Sequence, residues 1–514
     1  MNEQNSWQLA SATALPNDQL SRRMYFFNEA LPEGARNLQP VYAPVHKHGV
    51  ALQGDAPWEQ GGAVASFCST VLRLDDGRYR LYYTTVSAGE MRLAVAESSD
   101  GLAWERPPLG QEQWQGHDTN RIVLTGVPGA EAGEMRGGRM VAPDGGEIVL
   151  QGASSRQNQV GQPQVLRLPD GRWRMLYWHH QHGWGRIPYL YTIAESADGL
   201  RWHVPQYDRP ALNSHWLGDQ AALDEAQRGL EKGRRTNDAN FVYWNPRLGC
   251  YEQFSQWFLD SHPDRRVAED NCPAFNRMIQ RRLSADGLTW SAPELVIQAD
   301  RRDPWDQQFY HLAVQYHEDW LIGSLGHYRV ENAQQTQDLE LVFSRDGRRW
   351  ERPLRGGFIP CQAGGRDSEG VYPPNAWIDR GDRWLCLYTG VASKHNQPDP
   401  SDRPACIMAA SWAKHRFVGL RAGETPGGFL TPVFYLQAAE IRLDAAVRGW
   451  LRAELCDVWG RKLEGYHLGN SLPLHGDSQE HVLRWRDHET GAFRHDPLRL
   501  RLEYLDADVY NVAF

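Results

Sequence analysis

Apolar and polar positions along this chain alternate with a period of two, over short stretches that are paired across turns. In the first pair, residues 71–74 and 79–84 flank the turn Asp75-Asp76-Gly77. Such alternation on both sides of an Asp-Gly turn predicts a β-hairpin, because Gly adopts positive φ without a steric cost. We therefore predict five inner hairpins, whose first strands include residues 71–74, 165–168, 241–245, 313–316 and 376–379.

A second pattern, Ser-x-Asp-Gly-x-x-Trp, follows four of these hairpins. Its copies span residues 98–104, 196–202, 284–290 and 344–350, and residues 411–416 form a degenerate fifth copy. In each copy Asp-Gly supplies a tight turn, and the Trp three residues later covers it and begins the next strand. We predict that this turn forms the outer edge of each repeated unit, far from the centre of the molecule.

Units of four strands repeated five times predict an all-β fold, a five-bladed β-propeller. From about residue 417 the rhythm changes to short alternating strands with Gly turns, which predicts a C-terminal β-sandwich. We expect an N-terminal arm at 1–23, the propeller at 24–416 and the sandwich at 417–514. The proline-punctuated stretch 40–48 is expected to lie outside any regular sheet, and residues 221–228 are expected to form a short helix.

Composition narrows the classes of function. The net charge is −9 without a broad basic field, so we expect neither nucleic acid nor a membrane as a partner. Seven cysteines without paired spacing predict reduced thiols. Because the N-terminus is polar and no long apolar run exists, we expect a cytoplasmic protein. No cofactor is predicted, and a homo-oligomer is left open.

Carboxylates stand at the start of the innermost strand in four of the five units. A propeller forms its ligand pocket there, at one mouth of the central channel. Converging carboxylates suit glycoside hydrolysis, in which one acid protonates the leaving oxygen and another attacks or activates water. The alternative for each is a turn cap or an ion pair with a nearby Arg. The predicted catalytic candidates are Glu59, Asp238, Asp303, Asp306, Asp367 and Glu369.

Aromatic, histidine and arginine side chains near the same strand ends are expected to bind substrate. Their flat faces suit sugar rings, and their polar atoms suit hydroxyl groups. Histidines 179, 180 and 182 could instead hold a metal, but no matching Asp/His pair accompanies them, so no metal site is predicted. The predicted substrate-binding residues are Trp178, His179, His180, Arg235, Arg302, Tyr310, His311, His327, Arg366 and Tyr372.

The repeats, the string Arg302-Asp303-Pro304 and the trailing strands resemble the five-bladed propeller glycoside hydrolases. These include the invertase/levanase and arabinanase/β-xylosidase groups and the bacterial proteins similar to the family-32 N-terminal domain. The resemblance spans residues 24–514 and implies a propeller followed by a sandwich. The invertase group's Asn-Asp-Pro-Asn string has no match near Glu59, and its Glu-Cys motif has no counterpart, so no nucleophile or acid is carried over.

The leading hypothesis is a glycosidase that cleaves small furanosides or related oligosaccharides. Glycoside phosphorolysis is a variant, in which the paired arginines would hold phosphate. Two alternatives stay open, a metal-dependent sugar-modifying enzyme such as a deacetylase and a non-catalytic carbohydrate-binding propeller. Carboxyl groups about 5–10 Å apart across one pocket would favour hydrolysis, whereas isolated ones would favour binding.

Overall fold

The chain is built from β-strands, as predicted. The computed structural model describes residues 22–88, 90–127, 130–136, 139–141, 147–148, 158–168, 170–181, 189–205, 239–262, 270, 275–330, 335–395, 397 and 399–514. Over these ranges the one helical element is the short 3-10 helix Thr490–Phe493. No helix among them has the length and apolarity needed to span a bilayer. The helix predicted over 221–228 lies outside the described residues.

The first half of the chain supplies four N-terminal strands and the first two repeated units. Its strands are β1 (Arg23–Tyr25), β2 (Glu33–Arg36), β3 (Gln39–Tyr42), β4 (His46–Leu52), β5 (Ala63–Arg73), β6 (Tyr79–Ser87), β7 (Glu90–Ser98), β8 (Gln113–Trp114), β9 (His117–Asp118), β10 (Leu124–Val127), β11 (Ala130–Arg136), β12 (Arg139–Val141), β13 (Glu147–Ile148), β14 (Asn158–Arg167), β15 (Trp173–Gln181), β16 (Tyr189–Ser196) and β17 (Trp202–His203).

The second half supplies three further units and a C-terminal sheet. Its strands are β18 (Phe241–Asn245), β19 (Cys250–Asp260), β20 (Phe275–Ser284), β21 (Glu294–Ile297), β22 (Gln307–His317), β23 (Trp320–Arg329), β24 (Thr336–Ser344), β25 (Gly370–Tyr372), β26 (Ile378–Asp379), β27 (Arg383–Val391), β28 (Cys406–Ala413), β29 (Val418–Ala422), β30 (Gly427–Leu430), β31 (Phe434–Tyr435), β32 (Arg442–Cys456), β33 (Leu474–Val482) and β34 (Pro497–Ala513).

All five predicted inner hairpins are confirmed as antiparallel pairs: β5–β6, β14–β15, β18–β19, β22–β23 and β26–β27. We number the units around them 1 to 5 in chain order. Strand β4 pairs with β28 and completes unit 5, so a strand near the N-terminus closes the last unit. Strand β3 pairs with β29 at the edge of the C-terminal sheet. The expectation that residues 40–48 avoid regular sheet is therefore wrong; Pro40 is accommodated because β3 is an edge strand.

The Ser-x-Asp-Gly-x-x-Trp copies form the predicted local turn. In the first copy the Ser98 hydroxyl accepts a hydrogen bond from the amide of Gly101 at 2.8 Å, and Gly101 has a φ of 77°. Asp100 accepts from the amides of the next two residues, at 2.8 and 2.9 Å. The indole of Trp104 donates to the Gly101 carbonyl at 3.0 Å, so the Trp covers the turn.

Each of these turns packs against a neighbouring unit, and its predicted place at the outer edge stays a prediction. A Cβ on Gly101 would lie 2.9 Å from Ile378 and Leu385 of unit 5, so only Gly fits there. Each turn is therefore an interface between units, and a bulky residue would separate them. Three further contacts of this kind are the Tyr82 hydroxyl to Gly199 O at 2.8 Å, Arg174 to Asp286 O at 2.8 Å and Arg247 to Arg345 O at 3.1 Å.

The C-terminal residues form a nine-stranded sheet with the order β2-β30-β34-β29-β3, in which β1, β31 and β32 also pair with β34. The N-terminal strands β1 to β3 thus belong to this sheet by hydrogen bonding. Its core is a separate aliphatic and aromatic cluster that includes Leu443, Leu455 and Leu502. The five-blade count, the sandwich and the domain limits stay predictions.

Candidate functional site

Four innermost strands bring aromatic rings together at the centre of the repeated units. Phe67 of β5 lies 5.1 Å from Tyr372 of β25 and 6.1 Å from Tyr310 of β22, measured between ring centroids. It also lies 6.2 Å from Phe241 of β18. His311 is fully buried among these rings, and burial lowers the pKa of its imidazole to about 3. The centre is therefore apolar and aromatic, with a neutral histidine inside it.

A buried ion pair borders this cluster. Arg277 donates to both carboxylate oxygens of Asp270 at 2.7 and 2.8 Å, and both side chains are almost fully buried. Arg277 also donates to Gln308 Oε1 at 2.8 Å, and its guanidinium lies 5.2 Å from the ring centroid of Tyr328. The Tyr328 hydroxyl is 3.5 Å from Asp270. A charge pair without bulk water needs such additional partners, since desolvation would otherwise outweigh the attraction.

His395, just after β27, joins the pair to the aromatic rings. Its Nδ1 is 3.2 Å from the hydroxyl of Tyr372, and its ring centroid is 4.8 Å from that of Tyr310. Burial, assisted by the positive charge of Arg277, lowers the pKa of His395 to about 3, so the imidazole is neutral at pH 7. We call the following six residues the axial site: Asp270, Arg277, Tyr310, Tyr328, Tyr372 and His395.

Two of the predicted catalytic carboxylates are instead held by a basic side chain from the outer part of their own unit, an arrangement we call a carboxylate clamp. In unit 1 Arg106 donates to Glu59 at 2.6 Å, and Tyr83 donates to the same carboxylate at 2.9 Å. In unit 4 Arg352 donates to both oxygens of Asp303 at 2.7 and 2.9 Å. Arg106 and Arg352 both follow Trp-Glu at the end of the repeated turn motif.

A third clamp holds Asp367 in unit 5. Lys47 of β4 donates to Asp367 Oδ2 at 2.6 Å, and the Tyr388 hydroxyl donates to the same oxygen at 3.0 Å. Tyr388 occupies the place in β27 that Tyr83 occupies in β6, so the carboxylate–tyrosine contact is repeated as well. The three clamps tie the start of an innermost strand to the outer strands of its unit.

The other predicted carboxylates have different surroundings. Asp306 is paired with Arg329 at 2.8 Å and also accepts from the amide of Val330 at 3.1 Å. Glu369 is half-buried at the start of β25, and within the described part of the chain its carboxylate makes neither a hydrogen bond nor an ion pair. Asp238 lies outside the described residues.

The predicted substrate-binding residues divide into those at the centre and those elsewhere. Tyr310, His311 and Tyr372 are brought together. The remaining described ones lie apart: His327 pairs with Asp338 at 2.9 Å, exposed Arg302 pairs with Glu29, Arg366 donates to Pro404 O at 2.8 Å, and Trp178 packs among aliphatic and aromatic side chains of units 2 and 3. Arg235 and the side chains of His179 and His180 lie outside the described part.

Sequence reasoning missed four of the six axial-site residues, which are Asp270, Arg277, Tyr328 and His395. Asp270 lies between β19 and β20, and His395 lies between β27 and β28. In an antiparallel unit, the loop joining the second and third strands leaves the same end as the start of the innermost strand. Polar residues in these loops were therefore the available signal for Asp270 and His395. The predicted candidates include His179 and His180 at the end of a second strand in unit 2, but no residue from the corresponding loops of units 3 and 5.

No protein-family model matches this chain, and no curated protein matches it. Solved structures similar to it include a glycoside hydrolase, at 16% identity, covering 72% of this chain and 92% of that one with a TM-score of 0.43. Another is an N-acetylgalactosamine deacetylase from F. plautii in complex with blood group B trisaccharide, at 16% identity, 76% and 96% coverage and a TM-score of 0.42. A third is the GH62 α-L-arabinofuranosidase catalytic domain of Coprinopsis cinerea, at 10% identity, 72% and 97% coverage and a TM-score of 0.42.

Proposed function

We propose that the chain is a carbohydrate-processing enzyme, a glycosidase acting on short oligosaccharides such as furanosides. In this proposal the five repeated units form a five-bladed propeller, the C-terminal sheet with strands β1 to β3 forms a supporting sandwich, and the substrate binds at the axial site. The observation that carries it is the axial site itself, in which three tyrosines and a neutral histidine adjoin a carboxylate and a guanidinium. Aromatic faces pack on the apolar faces of sugars, and the polar groups can bind hydroxyls.

The clamps change which carboxylates we assign to the chemistry. Glu59, Asp303 and Asp367 are each held by a cation, so we assign them a structural role. Each one ties the innermost strand to the outer strands of its own unit. A general acid must reach the leaving oxygen, and half-buried Glu369 has no competing partner among the described residues. Asp270 likewise has both oxygens fixed by Arg277, so we assign it a positioning role, in which it holds Arg277 and the Tyr328 hydroxyl beside the aromatic rings. Asp238 remains a candidate for the second reacting carboxylate.

A screen of oligosaccharides with product analysis tests this proposal. On a cleaved substrate, Glu369→Gln is expected to lower kcat by about 100-fold or more, the usual effect of losing a general acid or base. Asp270→Asn is expected to lower kcat/KM, since substrate contacts at the axial site would be lost. Asp382→Asn is the matched control, because that side chain is 77% exposed beside the hairpin turn of unit 5. Wild-type turnover in both Glu369→Gln and Asp270→Asn, with the proteins folded, would contradict the assignment.

The second candidate is a non-catalytic carbohydrate-binding protein. The observation that favours it is the clamping of Glu59, Asp303 and Asp367, which removes three predicted catalytic carboxylates. It predicts saturable binding of an oligosaccharide without any product, with affinity lost in Tyr310→Ala and Tyr372→Ala. Product formation that depends on Glu369 would exclude it.

A further inference from the structure

Two histidines and a glutamate converge at the end of unit 4 remote from the axial site. One ligand atom from each of His317, Glu318 and His415 lies within 4.8 Å of the other two. His317 is the last residue of β22, an 11-residue strand whose other end begins beside the axial site. Tyr310 of the axial site is seven residues from His317 along this strand, which is about 23 Å at about 3.3 Å per residue, so the group is separate from the axial site and does not rest on the proposed function.

The backbone at Glu318 departs from the repeat. The inner-hairpin turns of the other four units each place a glycine at positive φ: Gly77 at 87°, Gly171 at 85°, Gly249 at 63° and Gly381 at 88°. Unit 4 instead has a two-residue turn between His317 and Trp320, and Glu318, its first residue, has a φ of 52°. A two-residue hairpin turn requires positive φ at its first residue, where Gly, Asn or Asp is usual, so the short turn explains the backbone but not the choice of Glu.

The hydroxyl of Tyr25 lies at the centre of the group. It is 2.9 Å from His317 Nε2 and 3.0 Å from His415 Nδ1. His317 is buried, whereas Glu318 is exposed and lines an open cavity of about 630 Å³. Arg23 is 3.9 Å from Glu318, and it also donates to Glu480 and Asn511.

We propose that His317, Glu318 and His415 bind a divalent transition metal of the Zn²⁺ class, with water or the Tyr25 hydroxyl in the fourth position. Two imidazoles and a carboxylate are a ligand set that zinc accepts, at Zn–N distances of about 2.0–2.1 Å. A tetrahedral site of that size separates its ligand atoms by about 3.4 Å. His415 Nδ1 and Glu318 Oε1 are already 3.8 Å apart, and the largest separation, which is within 4.8 Å, has to shorten by up to about 1.4 Å through small side-chain rotations. The metal would join strand β1, unit 4 and the end of unit 5.

The test uses the full chain, stripped of metal with a chelator and then titrated with Zn²⁺. Elemental analysis after desalting is expected to find one zinc per chain at this site, and thermal unfolding is expected to shift upward with zinc. His415→Gln and Glu318→Gln are expected to weaken zinc binding by more than about tenfold. His475→Gln is the control, because this exposed histidine contacts only the Gly449 carbonyl and should leave zinc binding unchanged.

The variant Glu318→Gly distinguishes a metal site from a group that is only a hydrogen-bonded network around Tyr25. Because Gly relieves the backbone at positive φ, the metal-free variant is expected to be as stable as the wild type or more stable, yet to lose the response to zinc. Two results would overturn the proposal. One is a wild-type chain that retains no zinc; the other is wild-type zinc affinity in both His415→Gln and Glu318→Gln, which would place any bound zinc elsewhere.

Discussion

Replacing Arg352 with Met tests whether the unit 4 clamp is a structural ion pair. Arg352 donates to Asp303 at 2.7 and 2.9 Å and to Glu340 at 2.6 and 3.0 Å, and both carboxylates are fully buried. Burial lowers the pKa of Arg352, but hydrogen bonds and charge from Glu340 and Asp303 outweigh it, so the pKa is raised overall. Met keeps the apolar contact with Phe309 and leaves two buried carboxylates without their main cation. We expect a loss of about 3–5 kcal/mol in the free energy of unfolding.

Urea unfolding of the wild type and variants measures this loss. The matched control is Arg348→Met, four residues earlier, whose side chain is 61% exposed and pairs with Glu294 at 3.1 Å; we expect a change below about 1 kcal/mol. Arg352→Met combined with Glu340→Gln should recover part of the stability, because one buried charge is then removed. The reasoning is refuted if Arg352→Met destabilises the chain no more than Arg348→Met does.

Three further predictions concern the other clamps, the repeated turns and the buried centre. Tyr388→Phe removes the 3.0 Å hydrogen bond to Asp367 and should cost about 1.5–3 kcal/mol in urea unfolding, whereas no loss would mean that Lys47 alone holds the carboxylate. Gly199→Ala should lower the thermal midpoint more than Gly171→Ala: both have positive φ, but only the Cβ at 199 would meet a neighbouring unit, 2.8 Å from a tyrosine hydroxyl. Equal shifts would contradict the interface. Burial lowers the pKa of His311 to about 3. Its contribution to the free energy of unfolding is therefore fully present above pH 6.5 and decreases as the pH drops from 6.5 towards 3. Between pH 7 and pH 5 the free energy of unfolding, measured with urea, should fall by about 2 kcal/mol less in His311→Phe than in the wild type. An unchanged pH dependence would contradict the buried neutral imidazole.

The local elements were predictable because their causes lie within a few residues. An Asp-Gly turn between alternating strands specifies its own hydrogen bonds, and all five inner hairpins formed as expected. The partners of those elements were not predictable in the same way. Strand β4 was missed because its pairing with β28 joins residues far apart in the chain, and local proline content suggested an irregular segment.

The repeated turns show what a correct local prediction leaves open. Their sequence predicts a tight, Trp-covered turn, and the structure agrees. The sequence of the turn contains no information about which surface faces it. That surface is supplied by other units, through Tyr82, Arg174 and Arg247. A turn at the end of a strand can lie in solvent or in an interface, and only tertiary packing decides between them.

The candidate carboxylates illustrate the same limit for function. Their recurrence ahead of successive innermost strands suggested a shared catalytic pocket, but a structural contact that belongs to a repeat recurs with it. Arg106 and Arg352 stand at the same place after the Trp-Glu of two turn motifs, and each binds the carboxylate ahead of its own unit. Recurrence therefore does not distinguish the two roles.

Departure from the repeat is the more informative signal, because the fold does not require the departing residue. The clamps account for Glu59, Asp303 and Asp367 without any chemistry. What they leave unexplained is Glu369, which has no partner among the described residues, and the Asp270 and His395 side chains at the axial site. Glu318 departs in the same sense at the other end of unit 4, where the turn is shorter than in the other four units and has Glu rather than Gly at positive φ. Glu369 and Glu318 are the two of these positions at which substitution should change binding or turnover more than stability, because neither carboxylate belongs to a fully buried ion pair.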